Sequence, residues 1–241
     1  MSADSAILLT DRGTGVATLT LNRPERSNAL SSSLVEALIE GVHTAMTDGN
    51  VHTLVLRGQG RHFCTGLDLS DLDHTSDAEL LWRLVRIETL LAAVWHAPKR
   101  TVAVAQGRTW GAGADLFAAC EQRVVLPGAT LRFPGAQFGI VLGTRRLALR
   151  MGGDAARALL TQGGELSTAQ ALACGLATHA EEPGWATPQV DADTGAALRA
   201  ATRAARSGLV ARVRRYVDSL KPPQIPQATL PERPAAAPGP V

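Results

Sequence analysis

The chain has 241 residues, 45% of them hydrophobic and a formal net charge of +2, which is enough apolar content to bury a core. That near-neutral balance excludes nucleic acid as the main partner, which needs a concentrated basic face. Three cysteines, Cys64, Cys120 and Cys174, are odd in number and lack metal-ligand spacing, so a reduced cytoplasmic protein without a metal is expected. Neither a secretory signal nor an apolar run of about 18 residues is seen, so no membrane insertion is expected.

Ala6–Thr10 and Val16–Leu21 flank Asp11-Arg-Gly-Thr-Gly15, which reads as a hairpin. A polar loop, Asn22 to Asn28, follows around Pro24. Leu34, Ala37, Leu38, Gly41, Val42 and Ala45 recur at helical spacing and stop at Asp48-Gly49. Ser33 and Glu36 have capping-box spacing at its start. Val51–Leu56 reads as a strand ending in a first glycine turn, Arg61 to Leu69. Asp68 to Asp77 is acidic and irregular, and reads as a mobile loop. Ser76 and Glu79 make a second capping box before the stripe Leu80, Leu81, Leu84, Ile87, Leu90, Leu91 and Val94, closed by Pro98.

Thr101–Ala105 is a β-branched run that reads as a buried strand. It turns through Gly111 and Gly113 into a helix opening near Asp115. Such a turn leaves unpaired N–H groups at the positive end of a helix, where they can hold developing negative charge. Asp115 in that first turn fits either a plain helix cap or a proton-transfer group. Arg123–Leu126 and Leu131–Gly135 read as a strand and a strand end. Helices are expected at Gly143–Met151, Asp154–Leu160 and Thr168–Ala173. Strands alternating with helices from residue 51 to about residue 160 indicate βαβ units, an α/β fold.

Residues 1–192 read as one core, 193–220 as a helical region and 221–241 as a proline-rich tail in extended or disordered form. Arg199, Arg203, Arg206, Arg212, Arg214 and Arg215 suggest a solvated helix face.

The two glycine turns end separate strands. If those strands are parallel neighbours, the N–H groups of Leu67 and Ala112 open at one sheet edge and converge on a single oxygen atom, the geometry for stabilising an oxyanion or a thioester enolate.

Three segments carry a resemblance: Leu21-Asn-Arg-Pro-Glu-Arg-Ser-Asn-Ala-Leu30, Gly60-Arg-His-Phe-Cys-Thr-Gly-Leu-Asp-Leu69 and Gly107 to Glu121. In order and spacing they resemble the crotonase family, also called the enoyl-CoA hydratase/isomerase family. The resemblance implies a spiral of ββα units, an acyl-CoA thioester as substrate with no tightly bound cofactor, and a homotrimer or dimer of trimers. It also implies a role in fatty acid metabolism. It implies that Leu67 and Ala112 supply the oxyanion N–H groups and that Asp115 is the acid/base. For the coenzyme A portion it implies Arg23, Arg26, Asn28, Ala29 and Leu30, with backbone at Leu67, Asp68 and Leu69. Arg23 has the second reading of a loop brace.

The pattern also breaks. The family's hydratases use two carboxylates. Asp115 stands where a glutamate is usual, which withdraws the carboxyl by ~1.5 Å. The second acid position reads Pro134-Gly135, with no carboxylate. The turn between Gly139 and Thr144 is shorter than usual. Two-carboxylate hydration is therefore expected to be lost. A single-acid isomerase or a non-catalytic acyl-CoA carrier are the alternatives. Asp68, Asp71, Asp73, His74 and Glu88 are substitute acids to examine. Trp110 fits either a core or an acyl-packing role, and Cys64 and Cys120 read as small hydrophobes.

Overall fold

The computed structural model describes residues 7–203. The hairpin forms, from β1 (Leu8–Gly13) and β2 (Val16–Leu21), with a shorter turn than read: Asp11, Arg12 and Gly13 belong to the strand, and Gly13 faces Val16 across the turn. β2 then pairs in parallel with β3 (Thr53–Gly58), β3 with β4 (Arg100–Ala105), and β4 with β6 (Gln122–Val125). The strand order of this five-stranded sheet is β1-β2-β3-β4-β6. β3 and β4 are buried along almost their whole length, as parallel strands covered on both faces must be.

Alternation along these strands sends side chains to two different environments. Val55, Val102, Val104 and Val124 form a small cluster on one face. Leu54, Leu56, Ala103, Ala105 and Val125 join the main core on the other. Over that main face lie α1 (Ser32–Thr47), α2 (Asp77–Trp95) and α3 (Ala112–Ala119).

Each helix is built by its apolar stripe. In α1, Leu34, Leu38, Val42 and Ala45 are buried as spaced. Its cap is Ser31, one of the serines Ser31 to Ser33 that the sequence offers as caps; its side chain accepts from Leu34 N–H at 3.3 Å, and the Ser33–Glu36 capping box does not form. Glu36 is drawn instead into an ion pair with Arg86 of α2. At the start of α2, the Ser76–Glu79 capping box is formed in both directions. The acidic loop before it is ordered by a short 3₁₀ turn at Leu72–His74 and by Arg83, which donates to both oxygens of Asp71.

The sequence pattern concealed a second sheet. β5 (Arg108–Trp110), β7 (Thr130–Arg132) and β8 (Glu165–Ser167) are each three residues long, too short to show a period. The path from β4 to α3 therefore passes through an extra strand before the glycine turn. α4 (Thr144–Met151), α5 (Gly153–Gln162), α6 (Thr168–Ala173) and α7 (Ala192–Arg203) complete the described chain.

Arg199 and Arg203 are not a solvated face. Arg199 pairs with Glu121 at 2.6 Å, and Arg203 donates to Ala97 O at 2.9 Å. The other four arginines of that run, and the expected tail, lie outside the described residues.

Candidate active site

β3 and β4 are parallel neighbours, so the segments that follow them emerge at the same sheet edge. The first of these, residues 63–68, threads between β5 and the loop at Leu30. Cys64 bridges Thr109 of β5, and Leu67 bridges Leu30. Leu30 N–H donates to Gly66 O at 2.7 Å, and Asp68 N–H donates to Leu30 O at 3.1 Å. In a parallel bridge of this kind the intervening residue, Leu67, turns its own N–H away from Leu30.

Gly66 makes that reversal possible with φ of +95°. It also lies against the second turn: a Cβ on Gly66 would fall 3.1 Å from Ala112 N and 3.0 Å from Trp110 O. Ala112 opens α3, so its N–H has no partner within the helix. The two glycine turns, 45 positions apart by Gly66 and Gly111, are thus in van der Waals contact.

Leu67, Ala112 and Asp115 border one cavity of about 360 Å³. Its remaining walls come from the segments around Leu67 and Gly111, from α2, from residues 133–144 and from Leu160, and Asp115 carries the one ionisable side chain among the described residues that line it. Asp115 is half-buried, and the exposure it keeps opens into this apolar space. Burial pushes its carboxyl up to about 7; the positive charge of Arg146 pulls the other way, and Glu88 adds to the rise. Gly143 lies flush against that carboxyl. Gly135 borders the same cavity and bears no side chain there.

The substitute acids are elsewhere. Asp68 pairs with Arg23 at 2.8 Å, Asp71 with Arg83 at 2.6 Å, and Glu88 with Arg146 at 2.6 Å. None of these, nor Asp73 or His74, borders the cavity. Trp110 does not border it either. Its indole N–H donates to Thr130 Oγ1 at 3.2 Å, and its ring lies between Arg108 and Arg132. Cys64 and Cys120 are buried, with thiols pushed up to about 12 by loss of water, which suits small hydrophobes rather than nucleophiles.

The residues expected to meet coenzyme A form a single loop cluster beside Leu67. Arg23 donates to Ala29 O at 2.7 Å as well as to Asp68, which is the bracing reading of that side chain. Burial raises the Asp68 carboxyl, but hydrogen bonds from Ser70 and the Arg23 guanidinium outweigh it and hold it below the usual range. Asn28 is fully buried at φ of +55° and spends its side chain on Arg23 N–H, Gln59 O and His62 O. Leu30 is buried, while Arg26 is exposed with no ion-pair partner among the described residues.

The apolar wall on α2 was hidden in the sequence inside a longer stripe. Leu90, Leu91 and Val94 fill the core, whereas Leu80, Leu84 and Ile87 face the cavity. The signal available was a stripe longer than one core contact needs. No helix among the described residues is long and apolar enough to cross a membrane, and no group of three or more His, Cys, Asp or Glu among them is arranged to hold a metal ion.

Residues 11–183 match a family model described as enoyl-CoA hydratase/isomerase. A Mycobacterium tuberculosis protein named "Probable enoyl-CoA hydratase echA6" is 38% identical over 178 residues, 71% of each chain. A crystal structure from Bordetella parapertussis, described as an enoyl-CoA hydratase/isomerase, is 37% identical with a TM-score of 0.75 and covers 88% of this chain and 99% of its own. An enoyl-CoA hydratase structure from Shewanella pealeana shares the fold at a TM-score of 0.78 with 16% identity, covering 89% of this chain and 88% of its own.

Proposed function

Because the chain belongs to the enoyl-CoA hydratase/isomerase (crotonase) family, we propose that it binds an acyl-CoA thioester and stabilises the enolate of that ester, with Asp115 as the single proton-transfer group. The observation that carries this reading is a cavity bordered by Leu67 and Ala112 whose one ionisable lining residue, among those described, is Asp115.

In this reading the thioester oxygen sits between the Leu67 and Ala112 N–H groups. Each donor contributes roughly 3 kcal/mol as negative charge moves onto that oxygen. The helix dipole of α3 adds to the same end. Asp115 as carboxylate removes a proton from the carbon chain and, once protonated, returns it to another carbon. The double bond shifts, and no atom is gained or lost. A carboxyl near pH 7 is suited to both halves of that transfer.

Hydration is the weaker reading. It requires water activated on one side and a proton delivered from the other, and Gly135 offers no second acid. The coenzyme A portion is assigned to Arg23, Arg26, Ala29 and the backbone of Leu67, Asp68 and Leu69; Asn28 and Leu30, expected among these contacts, are buried and support the loop from beneath instead. Assembly as a homotrimer or dimer of trimers, a cytoplasmic location and a role in fatty acid metabolism belong to the same proposal; native mass reads the assembly.

The test is incubation with 2-enoyl- and 3-enoyl-CoA in deuterated water. Deuterium at the α-carbon, lost in Asp115→Asn, supports an enzyme. Tight binding without exchange makes the protein a non-catalytic acyl-CoA carrier. Failure to bind any coenzyme A ester removes both readings.

A further inference from the structure

We propose that Arg146, held in place by Glu88, is a positioning residue for Asp115: with the amino end of α4 it steadies the carboxylate form, and Glu88 sets how strongly. This rests on the proton-transfer reading above and adds the groups that regulate the site.

The first observation is where the carboxyl stands. Gly143, the residue pressed against Asp115, is also the N-cap of α4. That cap makes no side-chain hydrogen bond to the helix, and the first turn of α4 holds no acid. The turn begins Thr144-Arg145-Arg146, two cations at the positive end of a helix dipole, which is locally unfavourable. An anion brought from another helix offsets that cost, and Asp115 of α3 is a carboxylate so placed.

The second is Arg146 itself. It follows Gly143 by three positions, so it leaves α4 on the same side. Its side chain is only 12% exposed. Two of its nitrogens donate to the two oxygens of Glu88 on α2, at 2.9 and 2.6 Å, a fork that fixes the guanidinium in one orientation. Its Nε is buried with no hydrogen-bond partner. An ion pair so far withdrawn from water, with one donor unpaired, contributes little to stability by itself.

The third is the set of charges around the carboxyl. α3 packs on α2, α4, β4 and β5. Of these, α4 brings Arg146 and α2 brings Glu88, and no other charged group among the described residues acts on Asp115. Burial favours the neutral acid, Arg146 favours the carboxylate, and Glu88 opposes Arg146. Arg146 also faces His96 at the end of α2, whose imidazole is held below its usual 6.5 first by burial and then by Arg146. His96 is therefore neutral above that pH and changes no charge where Asp115 titrates.

Carbon-13 NMR of the aspartate carboxyls tests this without any ligand, the Asp115 signal being identified by its loss in Asp115→Asn. Deuterium exchange at the α-carbon of an acyl-CoA, followed from pH 5 to 9, reads the reaction. Arg146→Met leaves the charge of Glu88 unopposed and is expected to raise both inflections by about one pH unit, whereas Glu88→Gln frees the charge of Arg146 and is expected to lower them. Arg146→Lys keeps a cation and is expected to stay near the parent. At pH 6 a rise of that size makes exchange in Arg146→Met about ten-fold slower, and at pH 9 the rate returns to within about two-fold of the parent. A pair that only tied α2 to α4 would lose stability in both variants, with no opposed movement of the inflections and no recovery at high pH. Circular dichroism checks folding, and Glu88→Gln, close in size to the parent, decides the matter if Arg146→Met does not fold. An Asp115 inflection that stays in place, or moves the same way in both variants, overturns the proposal. Carboxyl signals that move as expected in a protein without exchange uphold the charge control of Asp115 and remove the proton-transfer reading.

Discussion

A Cβ added to Gly143 would lie 1.8 Å from Oδ1 of Asp115. The φ of Gly143 is −82°, so its backbone would accept any residue, and what demands glycine is the carboxylate pressed against it. A glycine one residue before α4 therefore fixes where the proton-transfer group of α3 can stand.

Gly143→Ala is accordingly expected to push the carboxyl aside. A displacement near 1 Å costs roughly 100-fold in a positioned reaction, so α-deuterium exchange should fall by about that factor. Overpacking should cost about 1–3 kcal/mol of stability, read by urea unfolding. Octanoyl-CoA affinity should change by less than about three-fold, since the apolar walls are untouched. Unchanged exchange would mean that the position of Asp115 does not control the reaction.

Asp115 gives stability an unusual pH dependence. Its ordinary value of 3.8 is pushed up to about 7 in the fold. Between those values the folded chain holds a proton that the unfolded chain has released. This contribution is fully present below about pH 4 and is lost as pH rises through about 7, with a slope of at most about 1.4 kcal/mol per pH unit. Asp115→Asn removes that slope. Thermal melts should show the variant gaining on the parent as pH goes from 5 to 8, and exchange activity in the parent should inflect near pH 7. Parallel pH profiles of the two proteins would contradict the buried-carboxyl account.

Restoring an acid at the Pro134-Gly135 corner tests why hydration is disfavoured. A Cβ on Gly135 would approach Ile140 O to 3.0 Å, so the neighbouring loop must give by a few tenths of an ångström. Gly135→Glu is expected to cost about 1 kcal/mol and to raise hydration of 2-octenoyl-CoA at least ten-fold, well below the roughly 100-fold or more of an ideally placed acid/base group. Absorbance of the enoyl thioester follows the reaction. No increase in a folded variant would show that a missing carboxylate is not what limits hydration.

Asn28 tests the loop cluster. It ties its own loop at Arg23 to residues 59–62 while holding a left-handed backbone directly after Ser27, which is also left-handed. Asn28→Ala leaves Arg23 N–H, Gln59 O and His62 O without their partner and places alanine in αL. A loss of about 3 kcal/mol is expected in urea unfolding, together with weaker coenzyme A binding as the Leu30–Leu67 bridge loosens. A loss below 1 kcal/mol would show that solvent readily replaces those bonds.

The legibility of the chain followed the range of the interactions involved. The hairpin at Gly15, the stripe of α1 and the Ser76–Glu79 box are set by neighbours a few residues apart, and each formed, the hairpin with a shorter turn than read. Ser31 displaced Ser33 as the cap because Glu36 found Arg86 on another helix. β5 and β8 escaped notice, and β7 showed only as a strand end at Leu131, because three residues cannot display a period and their pairing partners are distant. Arg199 and Arg203 looked like surface charge, yet Glu121 and the carbonyls of Ala97 and Pro98 lie within their reach.

By itself the sequence determined that two glycine turns end separate strands, that an aspartate starts the helix after the second, and that no acid stands at residue 135. Those facts are written in local composition and order. Only the tertiary structure decided that those strands are parallel neighbours, that both turns touch and that α2 lends three residues of its stripe to the cavity beside them. It also decided that Asp115 is half-buried with its carboxyl against Gly143. Desolvation and close contact arise from atoms far apart in the chain, and no window of sequence contains both sides of such a contact.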